Sequence, residues 1–234
     1  MKILELFAGS RSIGKAAEEL GHEVFSTDII DFGNIDCVTN IFDFKIDEVP
    51  FTPDVVWASP PCTGFSVAAI GKNWVKGEPF TPKTESAELG IAILVKTIGI
   101  IRDFIEINPS LLFYIENPRG KMRKSPFLQP GILNNLPIVF AREGGELKKK
   151  PMCHNLIRHT VTYCQYGAEN MKPTDVWTNN DRWFPSPPCK NGSPCHVSAP
   201  RGSKTGTQGI KGNHERSKIP HMLCVEIINQ SRLK

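Results

Sequence analysis

Two apolar runs, each stopped by a polar residue and proline, constrain this chain more than any other feature. The first is Asp54-Val55-Val56-Trp57, followed by Ala58-Ser59-Pro60-Pro61-Cys62; the second is Leu111-Leu112-Phe113-Tyr114-Ile115, followed by Glu116-Asn117-Pro118. Short unbroken apolar runs are strands buried on both faces, which is the signature of a parallel sheet covered by helices. Proline lacks the N–H that a ladder needs, so each strand ends where the prolines begin. Parallel neighbours end side by side, and ligands in open α/β sheets sit outside those carboxyl ends. A thiol at Cys62 and a carboxyl at Glu116 can therefore face one cleft although they are distant in sequence. Each has a plain alternative: a packed cysteine behaves as a small hydrophobe, and a buried glutamate needs a partner such as Arg119 or a raised pKa.

The rest of the chain supplies the other elements of such a sheet. Lys2–Phe7 reads as a first strand and Ala8-Gly9-Ser10 as its turn. Ile13, Ala16, Ala17 and Leu20 fall on one helical face, with Ser10 or Ser12 as the N-cap and Gly21 as the stop. His22–Thr27 is a second strand closed by Asp28, a residue that can accept ribose hydroxyls or simply form a turn. Ile35–Asn40 is a short third strand, with Asn40 either reaching a purine edge or ending the strand. Residues 67–84 read as a mobile loop beside the thiol. Glu85–Ile107 is a long crossover helix. Beyond Lys121 helical periodicity fades. Arg158–Gln165 and Pro173–Asn179 read as a hairpin, and Ile219–Ile228 as a closing helix.

Composition narrows the partners. Net charge is only +4, but the first 120 residues hold 10 Lys+Arg against 17 Asp+Glu, and the remainder 18 against 7. A basic second half suits a polyanion such as nucleic acid. The longest apolar stretch is too short to span a bilayer, and the N-terminus has no signal-peptide pattern. Seven cysteines in a chain of this length indicate a reducing compartment rather than a disulfide framework. We expect a cytoplasmic location and a monomer.

In order and spacing, Leu6-Phe7-Ala8-Gly9 with its helix, Pro60-Pro61-Cys62 with Phe65-Ser66, and Glu116-Asn117 resemble the DNA (cytosine-5) methyltransferases, in a short form like those of bacteriophages. Gln165 after a strand and Ile219-Pro220 before the last helix are weaker matches. The resemblance covers residues 1–120 well and the rest thinly. It implies an α/β fold, with a Rossmann-like S-adenosylmethionine-dependent methyltransferase sheet, helices on both faces and a small loop-rich recognition lobe. The expected division is a catalytic and cofactor-binding domain over residues 1–165, closed by 216–234, with a target-recognition lobe over 166–215.

The resemblance also assigns roles. Cys62 would add to carbon 6 of a cytosine flipped out of double-stranded DNA, Glu116 would hold a proton at ring nitrogen 3, and Asn117 would fix the Cys62 loop. Phe7, Ala8, Gly9, Asp28, Ile29, Asn40, Ile41 and Pro60 would surround S-adenosylmethionine. Two positions depart from the family pattern: Asn40 stands where the family has Asp, and Gln165-Tyr166-Gly167 stands where it has Gln-x-Arg. Lys172 is the candidate for the missing arginine's task, alongside Gln165. Ser66, Arg119, Arg123, Arg201 and Lys204 are candidate DNA contacts. A bacterial or phage-infected host cell, and a restriction-modification role, follow from the resemblance alone.

Cys189, Cys195 and His196 are candidate zinc ligands in the lobe, with Cys164 upstream. Cys-x5-Cys-His is not a standard zinc spacing, and adjacent Cys195 and His196 would be crowded on one ion; reduced, partly packed cysteines are the alternative. Three other functions remain open on sequence grounds: an RNA cytosine-5 methyltransferase, a non-catalytic nucleic-acid-binding relative, and a small-molecule methyltransferase. So short a lobe touches few base edges, which implies a short or degenerate target, or help from a partner.

Overall fold

The computed structural model describes residues 1–128, 140–143, 146–149, 156–198 and 212–232. Seven strands form one sheet: β1 (Lys2–Leu6), β2 (Glu23–Asp28), β3 (Cys37–Val38), β4 (Val55–Ala58), β5 (Leu112–Pro118), β8 (Ile157–Thr162) and β9 (Pro173–Thr178). Their spatial order is β3-β2-β1-β4-β5-β9-β8. β1 to β5 run parallel, and β9 inserts antiparallel between β5 and β8. A separate two-stranded ribbon pairs β6 (Phe140–Glu143) with β7 (Glu146–Lys149). The Rossmann-like sheet expected from the sequence is thus present. Pro173–Thr178, placed by sequence in the recognition lobe, lies inside the main sheet.

Strand residues alternate between two cores, which is why the runs carry no polar partner in their middle. Ile3, Val55, Trp57 and Tyr114 face one side, where they meet α1 (Ser12–Glu19) and α5 (His221–Ser231). Leu4, Val56, Ala58, Phe113 and Ile115 face the other, against α3 (Glu85–Ile107). On α3, Ala87, Gly90, Leu94, Thr97, Ile98, Ile101 and Phe104 are buried, the three-and-four spacing of a helix face. Thr84 caps it by accepting the Ala87 N–H at 3.4 Å.

The cap of α1 differs from expectation. Neither Ser10 nor Ser12 caps it: their hydroxyls bond each other, and Ser12 Oγ also accepts the Ile219 N–H. Arg11, in left-handed backbone with φ 54°, occupies the N-cap without a side-chain bond. The free N–H groups of Ile13 and Gly14 are taken instead by the two oxygens of Glu5, at 3.1 and 2.9 Å. A carboxylate from the neighbouring strand replaces the local cap. Gly14 is required for this: a Cβ there would lie 2.7 Å from Glu5 Oε2.

Glu5 is almost fully buried. Burial pushes its pKa up to about 7, against the opposing pull of the Gly14 and Ile13 amides and Arg11. A carboxyl whose folded pKa lies above its unfolded value favours the fold below the unfolded pKa, and that contribution is lost as pH rises through about 7. The loss is on the order of 3 kcal/mol. Thermal melts of the wild type and Glu5→Gln should therefore diverge across pH 4.5 to about 7, with the wild type losing stability relative to the variant as pH rises. Parallel melting curves would contradict this.

Two further differences concern loops. The third strand is reduced to Cys37–Val38. The segment read as a mobile loop is partly ordered, with a 3-10 turn at Val67–Ala69, a short helix α2 (Ile70–Asn73) and a bridge between Trp74 and Pro82. A short helix before the closing one, α4 (Asn213–Ser217), had no sequence signal.

Candidate active site

The register of β4 on β5 sets Ala58 beside Ile115, so Ser59 and Glu116 are neighbours near the tips of the two strands. β9 runs the opposite way and therefore begins at this same edge, with Thr174 opposite Pro118 and the Arg119 N–H bonded to Pro173 O at 2.8 Å. β8 ends here too. Its next residue, Tyr163, and the residue preceding β9, Lys172, thus arrive beside Glu116. Strand direction alone gathers these groups from three distant stretches.

Their chemistry is coupled. Glu116 is 5% exposed and Lys172 7% exposed. Tyr163 Oη donates to Glu116 Oε1 at 3.1 Å. Burial raises the Glu116 carboxyl above its ordinary range, while the Lys172 charge and the Tyr163 hydroxyl pull it back. Burial likewise raises the Cys62 thiol; the Glu116 charge adds to this and Lys172 opposes it. Burial lowers the Lys172 ammonium against the pull of Glu116 and Cys62. Cys62, Glu116 and Lys172 thus share one electrostatic environment, in which a proton on Glu116 eases ionisation of Cys62. Lys172 Nζ also donates to Arg216 O at 2.7 Å and lies 4.5 Å from the Tyr163 ring centre. A cleft opens over it, lined by Tyr163, Asn170, Lys172, Arg216 and Ile219. Arg119, the alternative partner for Glu116, is not the group that holds it.

The loop presenting Cys62 is held from three sides. Asn117 Nδ2 donates to Pro60 O at 2.8 Å, while its Oδ1 is buried without a partner among the described residues. The Cys62 carbonyl accepts the N–H groups of Phe65 and Ser66. Trp74 Nε1 donates to Gly64 O at 2.7 Å, and Asn73 Nδ2 reaches Thr63 O and Gly64 O. Phe65 stacks on Trp74 and on Phe80, and Trp74 and Phe80 meet at a tilt. Gly120 lets the tip of β5 approach this loop, since a Cβ there would fall 2.3 Å from Phe65 O. Asn73, Trp74 and Tyr163 were missed by sequence reasoning: the first two sit in a stretch rich in Gly, Lys and Pro, and nothing in strand periodicity marks a hydroxyl one residue past β8.

A second group of candidates lines the turn after β1. Phe7 and Gly9 have positive φ, and the Gly9 N–H points back to donate to Asp28 Oδ2 at 2.9 Å. The Ile30 N–H donates to Asp28 Oδ1 at 3.0 Å. Asp28 therefore stands between the tips of β1 and β2 with lone pairs left for hydroxyl donors. Ala8, Ile41 and Pro60 are buried, whereas Ile29 is exposed. Asn40 is exposed, and its Oδ1 accepts the Phe42 N–H, a local turn. The polar set at the β1 and β2 tips fits a ribose-bearing cofactor.

Two candidates are placed differently from expectation. Gln165 does not turn to Cys62; its Nε2 donates to Cys195 Sγ at 3.4 Å. Arg123 is committed to the fully buried Asp175, with Nε and Nη2 reaching its two oxygens at 3.0 and 2.8 Å. It serves as the counter-charge of an interior carboxylate rather than as a phosphate contact. Ser66 is half-buried at the start of the 3-10 turn. Arg201 and Lys204 lie outside the described residues. No helix among the described residues is long and apolar enough to cross a membrane.

Comparison with known proteins gives one full-length likeness. Over 251 residues the chain is 26% identical to a probable DNA (cytosine-5)-methyltransferase of Frog virus 3 (isolate Goorha), covering 98% of this chain and 99% of that one. No protein-family model matches. Among solved structures, an Entamoeba histolytica methyltransferase, EhMeth, aligns at TM-score 0.45 and 14% identity, over 76% of this chain and 52% of that one. A Spodoptera frugiperda DNMT2 variant aligns at TM-score 0.41 and 19% identity, over 78% and 51%. This chain spans about half the length of these two solved chains. The viral relative carries the same family name that the motifs of the sequence suggest.

Proposed function

We propose that this chain is a DNA (cytosine-5)-methyltransferase, which attaches a methyl group to carbon 5 of a cytosine held outside the duplex stack. One observation carries the reading most: Cys62, Glu116 and Lys172 interact through their charges at adjacent strand ends, in a chain alignable end to end with a viral relative of that name. Carbon 5 of cytosine is a weak nucleophile, so the protein must first load electrons into the ring. The Cys62 thiolate does this by adding to carbon 6. Glu116, whose carboxyl burial raises above its ordinary range, donates a proton to ring nitrogen 3 as charge develops there. Lys172 stabilises both ionised states and takes the place of the family's arginine. Asn117, Asn73 and Trp74 hold the Cys62 loop in the attacking position. Gly9 and Asp28 would hold S-adenosylmethionine, which would supply the electrophilic methyl when bound. Loss of the carbon 5 proton then allows the Cys62–carbon 6 bond to break.

A trapping experiment tests the reading. Duplexes carrying 5-fluorocytosine with randomised flanks, incubated with the protein and S-adenosylmethionine, should yield an adduct that survives denaturing electrophoresis, because fluorine cannot leave as the proton does. Parallel arms with 5-fluorocytosine-substituted transfer RNA and with free 5-fluorocytidine should give none. Adduct on RNA alone moves the substrate class, and adduct on no acceptor removes the enzyme assignment.

A further inference from the structure

Away from the cleft, four side chains from three separate stretches meet beside the end of β8. Cys164 comes from the turn after that strand, Cys189 from the following irregular segment, and Cys195 and His196 from its far end. One donor atom from each, sulfur or ring nitrogen, lies within 4.8 Å of all the others. Cys164 Sγ is 3.2 Å from Cys189 Sγ and 3.7 Å from Cys195 Sγ. His196 Nδ1 is 3.5 Å from Cys189 Sγ and 3.6 Å from Cys195 Sγ. Tetrahedral zinc, with Zn–S of about 2.3 Å and Zn–N of about 2.0 Å, spaces its ligands about 3.8 Å apart for S–S and about 3.5 Å for S–N. Three of the four measured edges match these values, and the Cys164–Cys189 edge is shorter. The crowding expected of adjacent Cys195 and His196 does not occur, because the turn over residues 194–196 brings both donor atoms to one side.

We propose that Cys164, Cys189, Cys195 and His196 bind a structural zinc ion through three thiolates and the His196 Nδ1. Binding displaces three thiol protons and leaves the site with one net negative charge. Gln165 Nε2, bonded to Cys195 Sγ, would then donate to a charged sulfur, the outer-sphere contact that such thiolates require. Four protein ligands leave no open position, so the ion holds structure and performs no chemistry. The segment needs such a clasp. Residues 181–198 contain no helix or strand, and Phe184 and Val197 are exposed. Backbone anchors are few: Cys189 N–H to Thr162 Oγ1, Ser186 N–H to Tyr166 Oη, and Val197 N–H to Glu169 O. Cys164 also directly follows Tyr163, so the ion would fix the turn from which Glu116 receives its hydrogen bond. This site does not depend on the methyltransferase reading.

Metal analysis of the full chain, purified under reducing conditions without added zinc, is the direct test. About one zinc per chain is expected, falling several-fold in Cys189→Ser and in Cys195→Ser and unchanged in Cys37→Ser. Replacement by cobalt should give the intense visible bands of a tetrahedral thiolate site, and chelation should lower the melting temperature, with recovery on adding zinc alone. Wild-type protein holding less than about a tenth of an equivalent, without those bands, would overturn the site. So would a Cys164–Cys189 disulfide in protein handled under reducing conditions. Should a serine variant fail to fold, the wild-type zinc content and cobalt spectrum decide alone.

Discussion

Cys62→Ala should lower methyl transfer by roughly 10^4-fold or more, the scale on which a covalent nucleophile is lost. The residue lies half-buried on a loop already fixed by Asn117, Asn73 and Trp74. Its removal therefore leaves the loop in place, with a stability change within about 1 kcal/mol. Binding of duplex and of S-adenosylmethionine should persist, while the 5-fluorocytosine adduct disappears. Cys62→Ser should fail equally, since a hydroxyl is far harder to ionise than a thiol. A Cys62→Ala protein retaining more than about a tenth of wild-type activity would place the nucleophile elsewhere.

Glu116→Gln is the second large effect, and it should separate two quantities that usually move together. Methyl transfer should fall by about 10^2- to 10^4-fold, because the amide cannot pass a proton to the ring. Reactivity of the Cys62 thiol should rise, because the charge that helps hold the thiol up is gone. Alkylation by iodoacetamide followed across a pH series reads the second quantity directly. Lys172→Met should do the reverse to the thiol: its loss raises both Cys62 and Glu116, so alkylation at a given pH slows and the rising limb of its pH profile moves upward. If both variants slow alkylation, the electrostatic coupling assigned to the cleft is wrong. The Tyr163 bond to Glu116 survives in Glu116→Gln, as the amide oxygen still accepts it.

The parts of this architecture set by local patterning were legible in the chain. The buried strands read at Asp54–Ser59 and Leu111–Ile115, found at Val55–Ala58 and Leu112–Pro118, and the helix at Glu85–Ile107 follow from apolar runs and helical spacing. Cys62 and Glu116 could be paired in advance because parallel strands end together. Lys172 was reached through a departure from the family pattern, and the structure sets it beside both. What stayed hidden depends on contacts that no local pattern encodes. The α1 cap comes from Glu5 on another strand, so no capping signal sits near the helix. Arg123 looked like a surface cation until the buried Asp175 was found beside it. Trp74 lies in a stretch that composition marks as a loop, and its burial against Phe65 and Phe80 arises only when the Cys62 loop folds back on it. Gln165 matched a family motif in sequence while turning to a different neighbourhood in space.

Insertion of β9 between β5 and β8 has a consequence for how the cleft comes into being. Tyr114 pairs with Thr178, and Ile157 with that same residue. During synthesis from the N-terminus the ribosome therefore releases two unpaired strand edges before the piece that joins them. Until that piece docks, Lys172 is absent from the cleft and Cys62 stands beside a carboxylate with no counter-ion. Lys172, which draws the raised Cys62 thiol back down, therefore joins the cleft only when the most non-local pairing of the sheet, and by topology a slow one, closes.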